Sequence, residues 1–137
     1  MKTVLPRGTK IRRIGLSRST APCPKCHTIS KRHSNGKRQL KELGVSAPTI
    51  LEVTYSKHYC TKCRKYFALP MDHLAKPSGR FTNRVQRTAL DLVMKQSMTL
   101  QSASIRMRQK YLIIVPETTL HDWVVAEKKR LKVESNA

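Results

Sequence analysis

The sequence predicts an α+β fold: a small antiparallel β ribbon organised by one zinc ion, followed by a three-helix helix-turn-helix domain. Three observations predict it. The four cysteines fall into two CxxC pairs, a strand-like alternation leads into the second pair, and after residue 70 the apolar spacing changes from two residues to that of a helix. A chain of 137 residues holds one ordinary domain or two small ones, and a small domain buries only a thin core. Something besides hydrophobic burial is therefore expected to hold the ribbon.

Residues 1–20 read as a basic N-terminal tail, and residues 21–70 as the ribbon. Cys23-Pro24-Lys25-Cys26 and Cys60-Thr61-Lys62-Cys63 are its ends, and the sequence has no fifth cysteine. Two residues between cysteines allow a tight knuckle with both sulfurs on one metal, so Cys23, Cys26, Cys60 and Cys63 are the expected ligands of a closed, structural Zn2+ site. Iron in the same four thiolates, disulfides and free thiols are the competing readings. Disulfides need an oxidising compartment, and Met1-Lys2-Thr3-Val4-Leu5-Pro6 leads into no signal-peptide core. His27 and His58 flank the knuckles and are expected as solvated or hydrogen-bonding residues, because four thiolates already fill the shell. Lys25 and Lys62 lie inside the knuckles and offset the cluster's negative charge.

Between the pairs, Leu51, Val53, Tyr55, Lys57 and Tyr59 alternate with Glu52, Thr54, Ser56 and His58, which predicts a strand running into Cys60. Residues 38–43 are its expected partner, residues 44–48 the connection and residues 65–69 a third strand. Leu40, Leu43, Tyr55, Tyr59 and Phe67 are the expected small core, although an exposed ring could stack on bases instead.

Residues 71–80, with Pro77-Ser78-Gly79, read as a linker, and residues 81–133 as the helical domain. Thr82 caps a first helix through about Ser97, with Val85, Ala89, Leu92 and Val93 on one stripe. Thr99 opens a second to about Lys110, with Leu100, Ala103 and Met107 inward. The third starts at Pro116, which suits a helix's first turn. Its inward stripe is Leu120, Trp123 and Val124, and Lys128, Lys129, Arg130 and Lys132 gather toward its end. The short second connection suggests a helix-turn-helix, without the glycine usual in that turn. With that stripe inward, Thr118, His121, Asp122, Val125 and Lys129 turn outward and Thr119 sits on the flank, placed to meet base edges in a major groove. Arg84, Arg87, Arg106, Arg108 and Lys110 are the candidate phosphate contacts.

Charge supports that assignment. Lys and Arg number 28 against 8 Asp and Glu, a formal net charge of +20, and twelve of the basic residues precede Glu42, the first acid. A polyanion is the expected partner, bound largely through counterion release. No apolar run reaches the twenty or so residues of a membrane span, so no membrane is expected.

The order CPxCH, a β ribbon, YCxKCRKYF, a linker, FTNRVQRTALDLV, TLQSASIRM and TTLHDW resembles the N-terminal region of insertion-sequence transposases of the DDE class. The resemblance covers about residues 21–125. It implies that Cys23, Cys26, Cys60 and Cys63 hold zinc, that residues 118–123 start a recognition helix, and that the partner is duplex DNA at the element's ends. Full-length members continue into an RNase H-like domain whose carboxylates hold two metal ions. The eight acids here make no such cluster, so the chain is expected to be non-catalytic: a truncated transposase, a fragment of one, or a stand-alone DNA-binding protein. A transcriptional regulator or a ribosomal-type RNA-binding protein, with residues 1–20 threading along RNA, is the alternative. A cytoplasmic location, on the nucleoid in a prokaryote, is expected; the oligomeric state, a dimer included, stays open.

Overall fold

The computed structural model describes residues 8–77 and 79–135; residues 1–7 of the expected tail and Ser78 of the expected linker lie outside the described residues. Five strands precede three helices: β1 (Lys10–Gly15), β2 (Thr20–Pro22), β3 (Ile29–Glu42), β4 (Thr49–Cys60), β5 (Lys65–Ala68), α1 (Asn83–Met94), α2 (Leu100–Tyr111) and α3 (Glu117–Ser135). The α+β class is as expected.

β4 organises the sheet. On one side it pairs with β3 along almost its whole length, antiparallel from Glu42↔Thr49 to Arg32↔His58. On the other side it has two neighbours in succession. β1 runs parallel to its first half, from Lys10↔Thr49 to Gly15↔Thr54, and β5 runs antiparallel to its last residues, from Lys57↔Ala68 to Cys60↔Lys65. β2 pairs with the start of β3 and completes the order β1-β4-β3-β2.

Two expectations are corrected here. Residues 10–15 and Thr20, assigned to a basic tail, lie in strands, and the β1–β4 pairing makes the sheet mixed rather than purely antiparallel. The physical reason is edge satisfaction: the first half of β4 has ladder groups that β5 does not reach, and β1 takes them. β3 is also much longer than residues 38–43. Residues 31–35 are exposed and mostly polar, so this two-sided stretch carries no apolar alternation to announce it.

Burial along β4 changes face part-way. Leu51 and Val53 are buried, then Ser56, His58 and Cys60. The switch falls where β1, whose ladder ends at Thr54, gives way to β5, whose ladder ends at Lys57; the bulge of β3 at His33 lies just beyond it, opposite Lys57 and His58. The sheet core is consequently small: Leu40, Leu51, Val53 and Ala75, with Ile14, Leu16, Met71 and Leu74 around it. Of the expected core, Leu40 belongs to it. Leu43 packs against the helices instead, Tyr55 and Tyr59 are only half-buried because the face opposite Ser56 and His58 is uncovered at that end, and Phe67 is half-buried on the other face against the His58 ring.

The helices enclose a larger core of Val85, Ala89, Leu92, Ala103, Met107, Leu120 and Val124, as their spacing predicts, joined by Ile113 and Val115 from the expected connection between the second and third helices. Val93, Leu100 and Trp123 pack at its margin, Trp123 edge-to-face with Phe81 at 5.3 Å. Thr82 and Thr99 cap α1 and α2 by accepting from the N–H groups of Val85 and Ser102. α1 stops at Met94 rather than near Ser97, which has φ 56°.

The described residues of the expected linker, 71–77, 79 and 80, are anchored rather than free. Ala75 is buried in the sheet core, and the Arg38 guanidinium donates to the carbonyls of Lys76 and Gly79. The backbone of Lys41 bonds to Arg80 and Thr82. Beside this seam the buried Glu42 carboxyl accepts from the Leu43 N–H at 2.8 Å and the Thr82 hydroxyl at 3.0 Å. One hydroxyl thus caps α1 and ties it to the end of β3. The Gly44 N–H donates to the Tyr111 carbonyl at 2.8 Å, and a Cβ at Gly44 would meet the Ala47 carbonyl oxygen at 2.2 Å, so no larger residue fits.

Candidate metal centre and nucleic-acid interface

Each CxxC pair occupies the turn of a hairpin, the first between β2 and β3 and the second between β4 and β5. Both turns close alike. The His27 N–H donates to the Cys23 carbonyl at 2.9 Å and the Arg64 N–H to the Cys60 carbonyl at 2.8 Å, and His27 and Arg64 are both left-handed, φ 61° and 55°. Because β3 and β4 are paired at Arg32↔His58, the two turns lie side by side and the sulfurs converge.

All four sulfurs lie within 4.8 Å of one another, with Cys26 Sγ 3.5 Å from Cys60 Sγ and Cys23 Sγ 3.9 Å from Cys63 Sγ. A zinc–thiolate bond of about 2.3 Å sets tetrahedral sulfurs about 3.8 Å apart. The cluster therefore has the size to hold one metal ion and is compatible with zinc. Cys23 and Cys60 are buried, Cys26 and Cys63 half-exposed.

Electrostatics within the cluster is uneven. The Thr28 hydroxyl, and then its backbone, bond the Cys26 sulfur and bring that thiol down to about 6. Backbone N–H groups of Cys26 and Lys25 lower Cys23, whereas the Cys26 sulfur, burial and the other sulfurs push Cys63 up to about 12. Thiols this close cannot all ionise unless a cation joins them.

His58 is not a ligand. Its ring is fully buried, donates from Nδ1 to the Ser30 carbonyl at 3.0 Å and meets Ser56 Oγ at 2.7 Å through Nε2. Ser56 Oγ also accepts from the Arg18 N–H, and the imidazole stacks on Phe67 at 5.3 Å. The histidine thus fastens the chain after β1 and the start of β3 to β4. His27 is exposed.

The comparisons place no known relative beside this arrangement. Protein-family models, curated proteins and solved structures all gave no match.

α2 and α3 meet through a tight turn. Leu112, at φ 53°, takes the left-handed position where glycine is usual, and its N–H donates to the Met107 carbonyl. Ile113 and Val115 are buried, and the Ser104 hydroxyl holds the Val115 carbonyl at 2.7 Å. α3 begins just after Pro116, with Leu120 and Val124 inward. Thr118, His121, Asp122, Val125 and Lys129 are exposed and Thr119 is half-buried on the flank, as the helical spacing predicts. Asp122 sits 3.7 Å from the His121 imidazole.

The basic candidates divide. Arg84, Arg106, Arg108 and Lys110 are exposed, and the Lys110 ammonium lies over the Tyr111 ring. Arg87 is exposed too, but it lines a groove between α1 and the second half of α3 that also carries Asp72, Asp91 and Glu127. Arg130 is committed to acids: it bonds Glu127 and Glu134, each at 2.5 Å, and holds the Glu127 carboxyl below the usual carboxylate range. Sequence reasoning missed the Glu42–Thr82 tie, although Glu42 stands out as the first acid of a basic chain. Among the described residues no helix is long and apolar enough to cross a membrane.

Proposed function

We propose that this chain is a sequence-specific duplex-DNA-binding protein, with zinc closing the cysteine turns of a zinc ribbon and α2, its turn and α3 acting as a helix-turn-helix. The observation that carries it is the outer face of α3, where Thr118, His121, Asp122, Val125 and Lys129 are exposed together on a protein of net charge +20. A helix fits the major groove, and this face offers hydroxyls for several base edges, a carboxyl for a cytosine amine and a methyl surface for thymine. Arg84, Arg106, Arg108 and Lys110 supply phosphate contacts that position without reading sequence. Four thiolates on one zinc ion leave no open position for water, so the metal's role is structural and no catalytic step is assigned to it.

The resemblance to DDE-class transposases suggests the target: the terminal repeats of a mobile element, or a site bound by a regulator built from the same parts. The pairing of residues 10–15 and 20–22 into the sheet favours duplex DNA over the RNA alternative, which relied on an extended basic tail.

Selection from random duplexes at about 150 mM salt tests this. A single enriched motif is expected. Replacing Thr118 and Thr119 by alanine should flatten it with the salt slope unchanged, whereas replacing Arg106 and Arg108 should lower the slope by up to about two with the motif kept. Equal retention of all duplexes, with tighter binding to structured RNA, would overturn the assignment.

A further inference from the structure

One end of the sheet is uncovered on the face opposite Ser56 and His58. Leu51 and Val53 on that face are closed over by Ala75 and its neighbours, but beyond them the face carries Tyr55, Lys57 and Tyr59 from β4. Residues directly opposite in a ladder share a face. Tyr66 of β5 therefore joins Tyr59, and Ser34 and Gly36 of β3 join Lys57 and Tyr55. The rings form a connected group. Tyr59 and Tyr66 lie 4.8 Å apart between centroids, and His33 at the bulge of β3 sits edge-on to Tyr66 at 5.0 Å.

Two features separate this group from a core. Tyr66 is 64% exposed, and His33, Ser34 and Lys57 are exposed beside it. Tyr55 lies across Gly36 so closely that a Cβ there would meet its ring at 2.6 Å, so the absence of a side chain lets that ring approach the sheet. Beyond Tyr55 the surface continues into a shallow hollow of about 300 Å³ lined in part by Arg38, Met71 and Asp72.

We infer that this face binds the unpaired bases of a single nucleic-acid strand, with Tyr66 and Tyr59 as the stacking platform and Lys57 meeting the phosphates between them. Charge selects this occupant. Of the residues that the register sets on this face, Ser34, Gly36 and Arg38 of β3, Tyr55, Lys57 and Tyr59 of β4 and Tyr66 and Ala68 of β5, Arg38 and Lys57 are cations and none is an acid. Ring faces accept any base, and ammonium groups track the backbone. Tyr55 and Tyr59 are four residues apart on one strand, about 13 Å, which leaves room for more than one nucleotide along the trail. A duplex keeps its base faces stacked internally and offers this platform only phosphates. The inference uses no residue of α2 or α3, so it stands or falls separately from duplex recognition.

The test is binding of dT15 and rU15 to the whole zinc-loaded chain, beside a 15-bp duplex. The tighter of the two strands identifies its source as DNA or RNA. On that strand Tyr66→Ala should weaken binding between about 5- and 150-fold, the worth of one base–aromatic stack. Tyr66→Phe should stay within about twofold of wild type because the ring remains, and the duplex should not distinguish the variants. An unchanged affinity for Tyr66→Ala at full zinc content overturns the inference, as does an equal loss for alanine and phenylalanine. Photocrosslinking wild-type protein to a 5-iodouracil strand removes any dependence on the variant's folding. Crosslinks at Tyr59, Tyr66 or His33 support the platform, and crosslinks confined to α2 and α3 overturn it.

Discussion

The sheet and the helices solve the same stability problem by different means. The helices bury nine residues in one core, including Met107, Leu120 and Val115 with no exposure, whereas the sheet core has four, one of them an alanine lent by the segment that leads to α1. Each large apolar side chain removed from water is worth about 1.5–3 kcal/mol, so the sheet is thinly supported by burial alone. Its second support is the sulfur cluster at the far end of β4, together with the His58 hydrogen bonds. Sulfur–metal bonds are thus expected to supply for one half what interdigitated side chains supply for the other.

The largest expected effect is loss of the metal. Structural zinc contributes about 10–16 kcal/mol of apparent free energy in small modules at neutral pH, so a chelator, or Cys60→Ser, should unfold the sheet end. Hydrogen exchange is the measurement: amides of residues 28–34 and 56–66 should lose protection while those of α1 to α3 keep theirs. Protected sheet amides in metal-free protein would remove the contrast between the halves.

The converse variant is Met107→Ala, which truncates a fully buried side chain and should cost about 2–5 kcal/mol of helical stability. Zinc content should stay at one per chain while the helical circular dichroism melts earlier. A parallel loss of zinc would mean that the two halves unfold as one unit.

Thr82→Ala addresses the seam. It removes the cap of α1 and one of two donors to the buried Glu42 carboxyl, at a cost of about 1–2 kcal/mol, and Thr82→Ser should recover most of it. Calorimetry is expected to resolve two transitions in the alanine variant where wild type shows closer coupling.

The smallest effect belongs to the surface pair on α3. Arg130 depresses the Glu127 carboxyl, so its contribution is complete above the ordinary glutamate value of 4.5 and disappears as pH falls through the lower folded value. Glu127→Gln should therefore lower the melting temperature at pH 7, by an amount that shrinks as the pH is taken below 4.5. A difference that persists in acid would point to packing rather than charge.

What the sequence disclosed was whatever is local. Two residues between cysteines, a threonine before each of the first two helices, and stripes such as Val85, Ala89 and Leu92 announce themselves within one turn of chain. Long-range pairing did not. In β1 the apolar Ile11 and Ile14 do not alternate, and the strand's partner lies far along the chain, so six residues with three cations looked like tail. Residues 71–80 show turn residues but not that Ala75 is buried or that Arg38 grips their carbonyls. Tyr55 and Tyr59 have core composition, and only the missing layer over their face of the sheet leaves them half-exposed.

The parallel pairing of β1 has a kinetic consequence. β1 is synthesised well before β4, yet its ladder runs from Lys10↔Thr49 to Gly15↔Thr54, so it must wait until the β3–β4 hairpin exists before it can dock. Closing such a long loop is slow, and until it closes the flank of β4 at residues 49–54 is an unsatisfied template that another chain's strand can copy. Exchange of β1 between two nascent copies is therefore the misassembly to which this molecule is most exposed.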